Sequence, residues 1–144
     1  MRALGIDFGT KRIGLAVSDD AGSIAYPRIV VRAGAHALDE VQKFAQEERI
    51  EAVVMGDSRD SDMRENSIME TARPFGEELA KRLGVPLHFE LESFTTAATL
   101  AFGAAMRKRD PGRPSRAPRE REGHDAAAAA VMLQRFLERA DGQP

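Results

Sequence analysis

The chain has 144 residues, 42% hydrophobic and 31% charged, with a formal net charge of −2; that is enough for one domain with its own core, and the overall charge by itself selects no partner. It has no cysteine, which excludes disulfides, zinc–thiolate sites and thiol catalysis. No apolar stretch approaches the ~20 residues that cross a bilayer, and the N-terminus lacks the basic head and apolar core of an export signal, so no membrane partner is expected and the cytoplasm is the expected compartment.

Residues 2–8 and 13–19 read as two strands around the turn Gly9-Thr10-Lys11. Asp7 interrupts the first apolar run. A carboxylate inside a half-buried strand costs several kcal/mol unless something compensates it. Lys11 or Arg12, the turn itself, or a metal ion are the available compensations. Ile24–Arg32 is a third strand, and Ala35–Arg49 a helix with Leu38, Val41 and Ala45 at helical spacing. Glu51–Gly56 is a nearly continuous apolar run, as in a strand covered on both faces. Asp57–Arg64 reads as a polar loop: Asp57, Asp60 and Asp62 have the rhythm of a calcium loop but lack its glycine and closing glutamate.

Glu65–Leu83 carries a helical stripe of Ile68, Ala72, Phe75, Leu79 and Leu83, with Pro74 as a kink or break and Gly84 as the stop. Val85–Leu91 alternates as a fifth strand, Leu87, Phe89 and Leu91 facing inward. Thr95 or Thr96 caps a helix to about Arg107, with Ala97, Leu100, Ala101 and Ala104 on its inner face. Gly123–Arg139 is the last helix, buried through Ala126, Ala130, Leu133 and Leu137. The order β-β-β-α-β-α-β-α-α implies an α/β fold: a mixed five-stranded sheet, its first three strands antiparallel, with helices packed on it.

Charge is uneven. Between Arg107 and Arg121 seven basic residues stand against two acidic ones, with Pro111, Pro114 and Pro118 among them. This reads as a mobile basic loop, either a solvated linker or a phosphate contact through residues such as Arg113 and Arg116.

Three acidic residues stand where one site could gather them. Asp7 lies inside strand one, Glu92 directly follows strand five, and Asp125 falls in the first turn of the last helix. Singly, Glu92 reads best as a solvated strand end and Asp125 as a complement to the helix dipole. Together, the three supply the oxygen ligands and negative charge that a pair of hard divalent cations needs for phosphodiester cleavage. Thr10, Lys11 and Arg12 beside Asp7 are candidate backbone-phosphate contacts. His124 adjoins Asp125 and is a candidate proton carrier or a plain structural residue. With no Trp and one Tyr, base stacking has no aromatic platform, so recognition of nucleic acid would lean on backbone and shape.

The stretch Asp7-Phe8-Gly9-Thr10-Lys11-Arg12-Ile13-Gly14-Leu15-Ala16 resembles the opening motif of the YqgF/RuvX family of RNase H-like nucleases. Glu92-Ser93-Phe94-Thr95-Thr96 is similar to its second motif, and Asp125-Ala126-Ala127-Ala128 with Leu133-Gln134 to its third. The resemblance implies an RNase H-like fold and an endonuclease using two Mg2+ or Mn2+ ions held by Asp7, Glu92 and Asp125. It also implies a nucleic-acid substrate, RNA rather than DNA: maturation of the 5′ end of pre-16S rRNA, with pre-ribosomal particles as partners of a monomer or homodimer. Thr95 and Thr96 of the second motif, and Arg113 and Arg116 of the basic segment, join Thr10, Lys11 and Arg12 as candidate substrate contacts. Two departures mark a divergent branch. Leu91-Glu92-Ser93 stands where the family has Asp-Glu-Arg, and Gly56–Asn66 replaces its Met-Asp-Gly segment.

Other readings are a Holliday-junction-resolving DNA nuclease and a non-catalytic RNA-binding assembly factor. A sugar-kinase or actin-like phosphate lobe shares the opening motif, but needs two such lobes to clamp a nucleotide.

Overall fold

The computed structural model describes residues 1–57, 67–92, 96–116 and 120–142. It contains β1 (Ala3–Phe8), β2 (Arg12–Ser18), β3 (Ala25–Arg32), α1 (Ala37–Glu47), β4 (Ala52–Asp57), α2 (Met69–Leu83), β5 (Leu87–Leu91), α3 (Thr96–Arg109) and α4 (Glu120–Gly142). The strands form one five-stranded sheet in the order β3-β2-β1-β4-β5. β1–β2 and β2–β3 are antiparallel, β1–β4 and β4–β5 parallel. The expected mixed α/β sheet is therefore present, and it is the sheet of an RNase H-like fold.

Strand alternation divides the core between the two faces. Leu4, Ile6, Ile13, Leu15, Val53 and Met55 face α1 and α2, meeting Val41, Ala45, Ala72 and Leu79. Ala3, Ala16 and Val54 face α4, meeting Ala129, Met132, Leu133 and Phe136. Small residues on this second face let α4 lie close. A Cβ on Gly5 would stand 2.9 Å from Leu133 Cβ. One on Gly14 would overlap the backbone carbonyl of Asp125.

α4 is buried on more sides than one helical stripe provides. Ala126–Ala130, Met132, Leu133, Phe136 and Leu137 are all buried, because α4 lies between the sheet and α3. Its alanines keep it thin enough for both contacts, and Gly103 of α3 sits directly over Ala127.

Several boundaries and faces differ from the sequence reading. α2 starts at Met69 instead of Glu65, and it runs through Pro74 without a break in the helix. It ends at Gly84, whose φ of 69° is the left-handed geometry glycine accepts. In α3 the alanines are exposed, as is Leu100; Thr99 and Gly103 are the buried pair, with Phe102 and Met106 half-buried. A helix this rich in alanine on every side has no dominant apolar stripe, and the close fit of Gly103 on Ala127 chooses its face. On β5, Leu91 is exposed while Glu90 is buried, ion-paired to Arg139 of α4 at 2.5 Å. Helix also consumes both ends of the basic segment. Arg107–Arg109 close α3 and α4 begins at Glu120, which leaves turns and bends over the described residues 110–116.

That turn is fastened to the sheet. Arg28 of β3 donates from Nε to Asp110 Oδ2 at 2.5 Å and from Nη2 to Oδ1 at 3.1 Å. Both side chains are nearly closed to solvent, at 8% and 0% exposure. Glu48, at the end of α1, accepts from Arg28 at 2.7 Å and from Arg2 at 2.6 Å. Buried charges survive only with such partners.

Candidate active site

β1 runs with Ala3, Gly5 and Asp7 on the α4 face, and Asp7 is opposite Gly14 of β2. Gly14 has no side chain, so the backbone of α4 at Asp125 rests on it. Asp125, remote in sequence, is thus brought beside Asp7 by the absence of a Cβ. On the other side of β1, Gly56 of β4 leaves a similar opening. A Cβ there would overlap Glu92 Oε1, so the side chain of Glu92, just past β5, folds over Gly56 toward Asp7.

The Asp7 and Glu92 carboxyls are hydrogen-bonded to each other. Burial pushes the Glu92 carboxyl up to about 9, helped by the hydrogen bond to Asp7 and by the negative charges of Asp7 and Asp57. Burial raises Asp7 as well; the bond from Glu92 works against that rise, the charge of Asp125 adds to it, and His124 opposes it. Two half-buried acids in contact do not both ionise without a compensating cation, so they share a proton.

Asp125 is close enough for its charge to act on Asp7, but its carboxylate is turned to Arg12, with Nε 2.5 Å from Oδ2. Arg12 therefore does not compensate Asp7, as the sequence allowed; it pairs with the third acid. Among the described residues no three acidic or histidine side chains stand together as a ready metal-binding group. The expected convergence of Asp7, Glu92 and Asp125 is thus partial: two acids touch, and the third is held beside them by a guanidinium. Asp125 is also the sixth residue of α4, not part of its first turn, because the helix starts at Glu120.

The donor set nevertheless suits a hard cation. It is all oxygen, deeply placed, and loses its proton-sharing penalty if a divalent ion replaces the proton. Asp57, which the sequence put in a polar loop, is the last residue of β4, buried and acting electrostatically on Glu92. A fourth carboxylate was therefore missed. Its signal was Gly56-Asp57 at the carboxyl end of a parallel strand.

Thr10 and Lys11 are exposed at the tip of the β1–β2 hairpin. The tip is closed by the Gly9 N–H donating to the Arg12 carbonyl at 2.9 Å, and tied down by Ala33 N–H donating to the Lys11 carbonyl at 2.9 Å. Thr96 opens α3; Thr95 lies outside the described residues. Arg113 and Arg116 lie on the 110–116 turn, beside a groove between β3, α3 and α4 instead of within the acidic cluster. Arg116 faces Glu122 at 3.4 Å.

The family described as "RuvX: Holliday junction resolvase" matches residues 1–139. The chain belongs to this family. Its relatives include a protein of Anaeromyxobacter sp. (strain Fw109-5), 38% identical over 140 residues that cover 96% of this chain and 97% of that one, named "Putative pre-16S rRNA nuclease". A protein of the same name from Nitratidesulfovibrio vulgaris is 37% identical over 139 residues, covering 95% and 93%. Among solved structures, Thermus thermophilus RuvC in complex with a Holliday junction substrate superposes with a TM-score of 0.62 at 23% identity, covering 99% and 97% of the two chains. The fowlpox virus resolvase with its junction DNA superposes with a TM-score of 0.61 at 9% identity, covering 97% and 99%. At such identities the superpositions speak for the fold. The family membership makes the chain a nuclease, an enzyme that hydrolyses phosphodiester bonds. No described helix is long and apolar enough to cross a membrane.

Proposed function

We propose that this chain is a divalent-metal-dependent endonuclease acting on RNA, with processing of the 5′ end of pre-16S rRNA as its task. The observation that carries the reading is the contact between the half-buried carboxyls of Asp7 and Glu92, at the end of the sheet where β1 and β4 run parallel. Asp7, Glu92 and Asp125 would hold Mg2+ or Mn2+, two ions by the count of acidic ligands, with Asp57 adding charge behind Glu92. The ions would supply Lewis acidity at the phosphate and activate a water for attack.

The chain's own residues set up the rest. Asp7 is fixed by the strand and cannot swing away, which keeps one carboxylate in place through turnover. Glu92 shares a proton with Asp7, and the pair would bind a divalent ion only on releasing that proton to solvent. Asp125 would have to leave Arg12 to serve as a ligand, and Arg12 stands next to Thr10 and Lys11 at the hairpin tip, where the three would meet a phosphate. Thr95 and Thr96 would add substrate contacts, and Arg113 and Arg116, on the 110–116 turn, would hold the strand further out. RNA is favoured over a DNA junction by the names of the relatives, and pre-ribosomal particles in the cytoplasm are the fitting partners of a one-domain protein acting as a monomer or homodimer.

The test is cleavage of a precursor rRNA fragment by purified protein with Mg2+ or Mn2+, and by its Asp7→Asn variant. Cleavage by the wild type and a loss of at least about 10²-fold in the variant is expected, on the scale of removing one electrostatic stabiliser. Equal cleavage by both would defeat the reading. Salt-sensitive RNA binding without turnover would instead identify a non-catalytic assembly factor.

A further inference from the structure

A groove of about 770 Å3 opens between β3, α3, the 110–116 turn and the first half of α4. Its place relative to the carboxylates follows from strand register. Asp7 pairs with Gly14, and Gly14 with Val30, which lines the groove. Strands lie ~4.8 Å apart, so Val30 stands roughly 10 Å from Asp7 along one row of the same sheet face. Ala126, the residue after Asp125, lines it too.

The floor and the rim differ in chemistry. Val30, Leu100, Ala104 and Ala126 make an apolar floor. Leu100 is 41% exposed, one of three large hydrophobic side chains so exposed among the described residues. The rim carries Lys108, Arg113 and Arg116. Among the described residues Lys108 and Arg113 enter no ion pair or hydrogen bond of their side chains, whereas Arg116 faces Glu122 at 3.4 Å. The rim is also built to hold its shape. Arg107 Nη2 donates to the carbonyls of Arg116 at 2.9 Å and Pro114 at 3.4 Å. From the other side, the buried Asp110 grips Arg28 and accepts from the Gly112 N–H at 2.8 Å. Lys108 and Arg113, without an ion pair among the described residues, beside an apolar floor suit an occupant with a flat apolar body and an anionic chain.

We propose that this groove holds an unpaired nucleotide of the substrate strand, its base on the Val30–Leu100 floor and its phosphates against Lys108 and Arg113. The proposal rests on the nuclease reading and extends it: the enzyme would require a single-stranded segment next to the bond it cuts. A fully paired duplex presents phosphates and sugars at its surface and keeps its base faces stacked, so it can use the rim but not the floor. An unpaired base can use both.

The experiment is fluorescence anisotropy in EDTA, so that binding is read without cleavage, using a short RNA single strand and the same strand fully paired. Wild type should bind the single strand more tightly. Leu100→Gln, a neutral change at an exposed position, should weaken single-strand binding about tenfold, the scale of one lost base contact, and leave duplex binding within roughly twofold. Lys108→Ala/Arg113→Ala should weaken both probes and lower the salt slope by about 1–2. Equal affinity for the two probes, or a Leu100→Gln variant that shifts both equally or neither, overturns the proposal. So does sedimentation showing that Leu100→Gln breaks a dimer while RNA binding is unchanged, since the floor would then face a second copy. Because no divalent ion is present, the outcome is independent of Asp7→Asn. A variant that cuts like wild type defeats the nuclease reading and leaves the strand preference standing.

Discussion

Arg12 Nε lies 2.5 Å from Asp125 Oδ2, joining the start of β2 to α4 across 113 residues of sequence. The pair holds in place a carboxylate whose charge reaches the half-buried Asp7 beside it. It also makes Arg12 a competitor of any cation that Asp125 would bind. Arg12→Ala should therefore tighten Mn2+ binding several-fold, measured by calorimetry. Exposed on both sides to some solvent, the pair should contribute only about 1 kcal/mol to stability. Weaker Mn2+ binding in the variant would show that Arg12 orders the site instead of competing for it.

The shared proton of Asp7 and Glu92 makes the stability of the metal-free protein depend on pH. Both carboxyls are raised by burial, Glu92 to about 9. A raised folded-state value means that the folded protein holds a proton the unfolded chain has released. The stabilising contribution is thus complete below the ordinary carboxyl range and is lost as pH climbs toward 9. Thermal unfolding in EDTA should show Tm falling across that window, by about 2–4 °C for each 1 kcal/mol lost in a chain of this size. Glu92→Gln keeps the shape and a donor for Asp7 but cannot ionise, so its Tm should be flatter over the same range. A Tm that rises from pH 5 to 9 would contradict the shared proton.

Loading with metal should act in the opposite sense. An ion that replaces the proton binds better as pH rises, so the Tm increase on adding Mn2+ should be larger at pH 8 than at pH 6. It should be absent in Asp7→Asn. A metal shift of equal size at both pH values would place the ion elsewhere.

Gly14 and Gly84 separate two uses of glycine. Gly14→Ala would drive a Cβ into the Asp125 carbonyl. That should cost about 1–3 kcal/mol through overpacking and displace Asp125, lowering cleavage more than the stability loss accounts for. Gly84→Ala meets nothing within 4 Å but must take φ near +69°. It should cost about 1–2 kcal/mol and leave cleavage unchanged. Denaturant titration with initial rates measured below the transition distinguishes them.

The clasp of Arg28 on Asp110 is open to the same treatment. Asp110→Ala leaves the guanidinium buried with Glu48 alone, and should destabilise the protein by about 3 kcal/mol. Because the clasp also holds the 110–116 turn, the salt slope of RNA binding should shrink in the folded variant. An unchanged Tm would mean that the pair is not buried in solution.

Much was legible in the order of residues. The apolar runs of β1, β2 and β4, the alternation of β5 and the helical stripes of α1 and α2 gave the mixed sheet, because those patterns are set locally by backbone geometry. Asp7 stood out as a charge where an apolar residue belongs; Glu92 and Asp125, each ordinary by itself, drew notice only in company with it and through the family resemblance. What depended on tertiary packing was everything decided by the absence of side chains. Gly14 and Gly56 admit Asp125 and Glu92 to the side of Asp7, and Gly103 selects the buried face of α3; in the sequence each is one more glycine. The partners of the charges were also undecided until the chain folded. Arg12 goes to Asp125, Arg28 to Asp110 and Arg139 to Glu90, because an ion pair between distant residues depends on which surfaces the sheet and α4 bring together, and no local periodicity records that.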